Sequence, residues 1–156
     1  MLFRSKRGAM TLDRFKRYFT LTEIVSRDVA AKYGERAWGF FDPRLLEVVL
    51  WIRETLNIPI VINTRQLQQR GLRENTCQIV RDKTKAGKTY LSAHVLGKGV
   101  DFSSGAMSAV EIRRWIRSHI VECPYPIRLE GDKSAPTWVH IDVCNVGTKK
   151  LIEFEA

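Results

Sequence analysis

The pattern of apolar and polar positions predicts an amphipathic helix in the first half of the chain. Asp42 and Pro43 are residue types favoured at the N-cap and in the first turn of a helix. After them, apolar residues recur at helical spacing, at Leu45, Leu46, Val49, Ile52 and Leu56. This spacing places their side chains along one face of a helix. We therefore predict a helix from Pro43 to about Leu56.

Two capping boxes predict further helices. In this motif a Ser or Thr is followed three residues later by Glu, and the two side chains satisfy backbone donors at the helix start. Thr20 and Glu23 predict a helix that reaches about Ala31. The sequence "SAVE" at 108–111 predicts a second helix to about His119, with an apolar stripe at Val110, Trp115 and Ile116.

β-Branched and alternating apolar residues predict five strands, most of them late in the chain. The segments are "IPIVIN" at 58–63, "KGVDF" at 98–102, "YPIRLE" at 125–130, "TWVHIDV" at 137–143 and "KKLIEFE" at 149–155. The connection "GDKSAP" predicts a hairpin between the third and fourth strands, and the polar stretch 64–90 is interpreted as a long functional loop. Because helices precede strands, we expect an α+β domain with N-terminal helices packed on a mainly antiparallel sheet.

Composition limits the partners of the protein. The chain of 156 residues carries 26 Lys and Arg against 17 Asp and Glu, a formal charge of +9, which favours binding to polyanions. The basic residues are spread along the chain, and zinc-finger, RNP and P-loop motifs are absent from the sequence. We therefore expect no specific nucleic-acid partner, although a nucleic-acid-binding protein stays open as an alternative class.

The length predicts one domain, residues 20–156, preceded by a basic and loosely ordered segment, residues 1–19. The sequence contains no apolar run of the ~20 residues that a membrane span needs, and no signal peptide is expected. The three cysteines, Cys77, Cys123 and Cys144, form no CxxC pair. We expect buried free thiols and synthesis in a reducing compartment. The expected assembly is a monomer.

Two of the three histidines lie in segments that predict a metal site. His94 precedes Asp101 in "SAHVLGKGVD", and His140 lies within "WVHID". Two imidazoles and one carboxylate are ligands that suit a catalytic zinc ion, which keeps a fourth position for water. Gly97 and Gly99 allow the chain to turn back after His94.

Strand alternation places Trp138, His140 and Asp142 on one face, so Asp142 is a candidate to orient the imidazole from the second shell of ligands. A packed or hydrogen-bonded core histidine is the alternative interpretation of each ring. His119, at the end of a predicted helix, is explained by the helix dipole and is not assigned to the site.

"SAHVLGKGVD" resembles the SxHxxGxAxD motif of the zinc D-Ala-D-Ala carboxypeptidases and L-alanyl-D-glutamate endopeptidases, peptidoglycan peptidases that share the hedgehog fold. Ser92, His94, Gly97 and Asp101 fall in register with that motif, and Gly99 stands where the family usually has Ala. "WVHID" resembles the final WxHxD-like strand of the family. "GLR" at 71–73 is similar to its "GYR" segment, and the helical N-terminal part resembles members encoded by phages and prophages.

The resemblance implies a hedgehog-like fold and Zn²⁺ bound by His94, Asp101 and His140. It also implies that Arg73 holds a carboxylate of the substrate, for which a planar guanidinium is suited. Arg70 is the neighbouring alternative, although we interpret it as part of a solvated loop. Ser92 and Asp142 are assigned to the second shell of the metal.

The general base is the position where the sequence departs from the family. Many members carry Glu or Asp three residues before the last histidine ligand, and here that residue is Thr137, which cannot take a proton from water at neutral pH. Glu130 and Asp132 lie just upstream. We favour Glu130, because it ends the strand expected to pair with "TWVHIDV"; an exposed carboxylate without a role is the alternative.

The resemblance predicts a zinc-dependent hydrolase of peptide bonds in the peptidoglycan stem peptide, similar to an endolysin or a carboxypeptidase. Such a protein would be made in the cytoplasm and would act at the cell wall after release or as part of a virion. A zinc-binding phage module with the same fold and no catalysis is the alternative, and Thr137 favours it.

Overall fold

A computed structural model describes residues 6–156, and the part of the basic segment at residues 1–5 lies outside the described residues. Within the described part, five α-helices and four strands form an α+β fold. The helices are α1 (Lys6–Phe15), α2 (Arg27–Tyr33), α3 (Pro43–Leu56), α4 (Gln78–Lys85) and α5 (Ala109–His119). The strands are β1 (Gly99–Phe102), β2 (Ile127–Glu130), β3 (Val139–Asp142) and β4 (Leu151–Phe154). Short 3₁₀ helices span Leu21–Glu23, Gly34–Phe40 and Ile120–Glu122.

The four strands form one mixed sheet in the order β1-β3-β2-β4. β3 pairs antiparallel with both β1 and β2, which confirms the predicted hairpin between β2 and β3. β4 runs parallel to β2 at the edge, so the sheet is antiparallel in two of its three pairings.

The two longest helices begin where their capping residues predict. Asp42 accepts a hydrogen bond from the backbone N–H of Arg44, and Pro43 occupies the first position of α3. Ser108 and Glu111 form the complete capping box of α5. The predicted helices 43–56 and 108–119 are therefore confirmed.

The sheet has one apolar face and one polar face, as strand alternation requires. Val100 and Phe102 of β1, Ile127 and Leu129 of β2, and Val139 and Ile141 of β3 are all buried in the core, together with the apolar side of α3 and α5. The alternate positions of the same strands carry Asp101, Arg128, Glu130, His140 and Asp142. The polar face is therefore the one that presents candidate chemistry.

The prediction of a loosely ordered segment is wrong for residues 6–19. Residues 6–15 form α1, which packs against α3. Leu12, Phe15 and Phe19 of this segment are buried in the core, and Phe15 stacks on Phe19 with ring centroids 4.6 Å apart. The apolar residues of α1 recur at helical spacing, but the many basic residues between them obscured this pattern in the sequence.

Two other predicted elements also need correction. The helix predicted from Thr20 to Ala31 is two short helices: the capping box opens the 3₁₀ helix Leu21–Glu23, and Ser26 caps α2 separately. The predicted strand 58–63 makes only an isolated antiparallel bridge, between Val61 and Ser103. Ile60 and Ile62 are nevertheless buried, so its apolar character reflects packing without a full strand ladder.

The segment 64–90, predicted to be a loop, contains the helix α4 at its centre. Val80 is the one buried residue of α4, so the apolar pattern was too weak to predict this helix. All three cysteines are free, as expected; Cys77 and Cys123 are buried, whereas Cys144 is half-buried.

Candidate metal centre

Strand register brings two of the predicted ligands together. In the antiparallel pair of β1 and β3, Asp101 lies directly opposite His140. Residues opposite each other in such a pair have side chains on the same face, with Cβ atoms roughly 4.5–5.5 Å apart. His140 Nδ1 lies 2.8 Å from Asp101 Oδ1 as a result.

His94 reaches the same point from the turn before β1. Ser92 starts this turn by accepting a hydrogen bond from the Val95 N–H, and the Lys98 N–H donates to the Ala93 carbonyl. Gly97 has a positive φ of 66°, and a β-carbon there would overlap the carbonyl oxygen of Phe40. The turn that returns the chain from His94 to Asp101 therefore requires glycine at position 97.

The three candidate ligand atoms form a compact triangle. His94 Nε2 lies 3.2 Å from His140 Nδ1 and 3.2 Å from Asp101 Oδ1, and the third side is the 2.8 Å contact between His140 and Asp101. All three side chains are buried. The structure thus brings His94, Asp101 and His140 together as a group that can hold a metal ion.

The outer nitrogen of each imidazole is engaged by a hydrogen-bond acceptor. His94 Nδ1 lies 2.9 Å from the Gly71 carbonyl, which can only accept, so this nitrogen carries the proton. His140 Nε2 lies 3.0 Å from Asp142 Oδ2 and donates to that carboxylate. When both rings are neutral, as metal ligands are, these outer bonds leave the lone pairs of His94 Nε2 and His140 Nδ1 directed toward Asp101.

The side chains of this group shift one another's pKa values. Burial alone would raise the pKa of Asp101, but the adjacent imidazoles of His140 and His94 outweigh burial and hold that pKa well below its usual range. Burial alone would lower the pKa of His140, but its bonds to Asp101 and Asp142 raise the pKa to about 9. At neutral pH the raised pKa keeps a proton on His140 beside the ionised Asp101, and a metal ion that binds here would displace that proton.

The donor set fits a cation. Two ring nitrogens with inward lone pairs and one ionised carboxylate oxygen would repel one another at separations near 3 Å unless a proton or a metal cation lies among them. A divalent ion satisfies all three at once, and imidazole and carboxylate ligands are those used for zinc and similar ions.

The group opens onto a cavity of about 370 Å³ that also exposes three other predicted site residues, Arg73, Glu130 and Ser92. Burial raises the pKa of Glu130, and the positive charge of His140 offsets part of that effect. Arg73 Nη2 lies 3.6 Å from Asp101 Oδ2, and Arg73 Nη1 donates to the Tyr90 hydroxyl at 2.8 Å. The cavity therefore holds a carboxylate of raised pKa and a guanidinium beside the candidate ligands.

The remaining candidates are engaged elsewhere. Asp132 pairs with Arg113 at 2.8 Å and lines a different pocket, so it is not the alternative base at this cavity. Arg70 Nη1 donates to Ser103 Oγ at 3.3 Å. Thr137 is exposed. His119 Nδ1 bonds to the Trp115 carbonyl within its own helix, as expected for a residue outside the site.

Among the polar side chains that line the cavity, sequence reasoning missed Arg128 and Tyr90. Arg128 forms a two-point ion pair with Asp142, and Tyr90 holds Arg73 in place. Strand alternation from Glu130 could have placed Arg128 on the site face, because the two residues are separated by one position. Tyr90 lay in a segment without a periodic signal, and nothing in the sequence indicated its contact with Arg73.

No protein-family model, curated protein or solved structure that was compared with the chain matches it. Among the helices of residues 6–156, none has both the length and the apolar character needed to cross a bilayer.

Proposed function

We propose that the protein is a zinc-dependent peptidase that hydrolyses a peptide bond in the peptidoglycan stem peptide. The observation that carries the proposal is the triangle of His94 Nε2, His140 Nδ1 and Asp101 Oδ1, with sides of 2.8–3.2 Å, at an open cavity that also contains a carboxylate and a guanidinium. The hedgehog-like fold implied by the sequence motifs belongs to this proposal.

Zinc fits the three side chains. Tetrahedral zinc with bonds of ~2.0–2.1 Å holds its ligand atoms roughly 3.3 Å apart, close to the spacing of these atoms. Three protein ligands with an open fourth position are typical of catalytic zinc, whereas structural zinc has four. The bonds from the outer nitrogens to Gly71 and Asp142 are the kind that fix metal-binding imidazoles.

A bound zinc ion would supply a Lewis acid that polarises the scissile carbonyl and makes water more acidic. Glu130 would accept a proton from the attacking water and return it to the departing amine. Its raised pKa suits this role, because a base works best when its pKa approaches the working pH. Arg73, held by Tyr90 and by the Gln69 carbonyl, would bind a carboxylate of the stem peptide.

The net charge of +9 supports the choice of an anionic cell-wall polymer as the surrounding medium, and added salt should weaken that attraction. The motifs resemble those of phage and prophage enzymes. We accordingly propose synthesis in the cytoplasm and action at the wall after release, as for an endolysin, or as a virion component.

The test is digestion of purified peptidoglycan by the protein with and without zinc, followed by mass spectrometry of the muropeptides. We expect new stem-peptide fragments with zinc, and none with the chelated protein or with His94→Ala. The cut position distinguishes a carboxypeptidase from an endopeptidase. Equal digestion by the wild-type protein and His94→Ala would reject the proposal.

A second candidate function is zinc binding without catalysis, as in a virion module. Thr137 favours it, because it is exposed and lacks a carboxylate at the position where many of the resembling enzymes carry their base. This candidate predicts one tightly bound zinc per chain together with intact muropeptides after prolonged incubation.

A further inference from the structure

We infer that Arg128 is a positioning residue for the metal centre, acting through Asp142 on His140. This inference rests on the proposed zinc site and assigns a role that the sequence motifs do not contain. The chain of contacts runs from the Arg128 guanidinium to the Asp142 carboxylate, and from Asp142 to the outer nitrogen of His140.

The register of β2 and β3 sets up the first contact. Arg128 and Asp142 are directly opposite each other in this antiparallel pair. Arg128 Nε donates to Asp142 Oδ1 at 2.8 Å, and Arg128 Nη2 donates to Asp142 Oδ2 at 2.9 Å. This two-point geometry fixes the plane of the carboxylate as well as its position.

Burial and a further hydrogen bond also restrain the orientation of the Asp142 carboxylate. Its side chain is fully buried, and Oδ1 also accepts the backbone N–H of Cys144 at 2.9 Å. Oδ2 is therefore the oxygen left for His140, whose Nε2 lies 3.0 Å away. Arg128, Cys144 and His140 each direct a ring, guanidinium or backbone nitrogen at this carboxylate, which acts as the acceptor in all of these contacts.

Arg128 is itself held from a second side. Its guanidinium lies over the ring of Phe154 in β4, 4.9 Å from the ring centroid, and its side chain forms part of the cavity wall. The planar cation is thus restrained by a carboxylate and an aromatic face, a combination that lysine cannot reproduce.

These contacts have a consequence for the metal. With Nε2–H donated to Asp142, the neutral ring of His140 keeps its lone pair on the inner Nδ1, which can then serve as a ligand. Without Arg128, the buried Asp142 carboxylate would lose its two-point ion pair and could rotate away from His140. Carboxylates that orient a metal-binding imidazole typically account for ~10–100-fold in metal affinity.

The experiment compares zinc affinity, by competition with a chelator, for the full-length wild-type protein, Arg128→Gln and Arg128→Lys. Arg117→Gln is the matched control, because Arg117 also pairs with a carboxylate on the sheet, Glu153, at 2.7 Å and is similarly exposed. We expect Arg128→Gln to weaken zinc binding ~10–100-fold, Arg128→Lys to fall between it and the wild type, and Arg117→Gln to have no effect.

Two further readouts separate positioning from a merely structural role. In the zinc-loaded wild-type protein, the Nε2 proton of His140 should give a slowly exchanging NMR signal, which Arg128→Gln should lose to solvent exchange. In the background of Asp142→Asn, adding Arg128→Gln should cause little further loss of zinc affinity, because the two residues act in series. If Arg128→Gln does not fold, Arg128→Lys and Asp142→Asn still decide the question by the same readouts.

The outcomes distinguish this inference from the proposed function. Zinc binding by Arg128→Gln and Arg128→Lys within threefold of the wild type, with the His140 signal retained, would overturn the inference alone. Zinc binding without cleavage of peptidoglycan would overturn the peptidase proposal and leave the role of Arg128 intact. Failure of the wild-type protein to bind zinc would overturn both.

Discussion

At the scale of single residues, the surroundings of two carboxylates at one cavity shift their pKa values in opposite directions. Burial works against ionisation of both Asp101 and Glu130, but only Asp101 lies within 3.2 Å of two imidazole nitrogens. The pKa of Asp101 is therefore lowered, whereas that of Glu130 is raised. Such a divergence marks one carboxylate as a permanent anion and the other as a group able to exchange protons.

This difference predicts the effect of removing the carboxylate of Glu130. Glu130→Gln should retain zinc affinity, because Glu130 is not a ligand, and should lower the rate of stem-peptide hydrolysis ~10²–10⁴-fold, the usual contribution of a general base. The measurement is the initial rate on purified muropeptides, alongside a zinc titration.

Asp132→Asn is the matched control, since Asp132 is two residues away and pairs with Arg113 outside the cavity. Its hydrolysis rate should stay near that of the wild type. Equal losses for Glu130→Gln and Asp132→Asn would indicate a general disturbance of the hairpin and remove Glu130 from the mechanism.

Gly97 provides a second prediction at this scale. Gly97 and Gly87 have nearly the same positive φ, 66° and 67°, but only at Gly97 would a β-carbon overlap another backbone atom, the Phe40 oxygen. Gly87→Ala should cost the ~1–2 kcal/mol of a left-handed alanine. Gly97→Ala should cost clearly more and should also weaken zinc binding, because its turn carries His94. Urea unfolding of both variants measures the difference, and equal losses of stability would contradict it.

At the scale of elements, a helix or strand could be predicted only where its own residues include a capping motif or a long apolar pattern. α3 and α5 were predictable because Asp42 and Ser108 cap them and their apolar faces are long. α1 was missed because basic residues surround its stripe, and α4 because it buries only Val80. The segment 58–63 was predicted to be a strand from its β-branched residues, but a ladder depends on a partner elsewhere in the chain, and only Val61 finds one.

One side chain on α5 organises the hairpin that carries Glu130. Arg113 is fully buried, and it donates to the carbonyls of Glu130, Ala135 and Trp138 and to Asp132. Arg113→Met would leave three carbonyls without this donor, at a cost of ~1–3 kcal/mol for each group that stays buried. We expect a total loss of about 3 kcal/mol in the free energy of unfolding, since the hairpin can partly relax toward water.

The measurement is denaturant unfolding, with Arg114→Met as the control, because Arg114 is the next residue of the same helix and is exposed. Arg114→Met should change stability by no more than ~0.5 kcal/mol. A loss below 1 kcal/mol for Arg113→Met would show that the carbonyls find other donors.

At the scale of the whole molecule, the two faces of the sheet have different roles: one stabilises the fold and the other carries the candidate site. Its apolar face closes the core against the helices, and its polar face lines the cavity with Asp101, Arg128, Glu130 and His140. The three candidate ligands could be predicted from sequence because short motifs carry them. Strand alternation could place Arg128 on the same face, but its pairing with Asp142 depends on the register between β2 and β3, which no local pattern specifies.

The candidate ligands come from two segments that are separated in the chain, so zinc binding should be coupled to global stability. His94, Asp101 and His140 converge only in the folded state, so zinc should bind the folded protein and stabilise it by ~2.7 kcal/mol at a free concentration of 100 times Kd. For a chain of this size that corresponds to a rise in Tm of roughly 5–11 °C. Thermal unfolding with a chelator and with buffered zinc measures this rise in Tm. The rise should vanish in His140→Ala. It should persist in His119→Ala, because His119 lies outside the site. An equal zinc-dependent shift in His140→Ala and the wild-type protein would mean that the metal binds elsewhere.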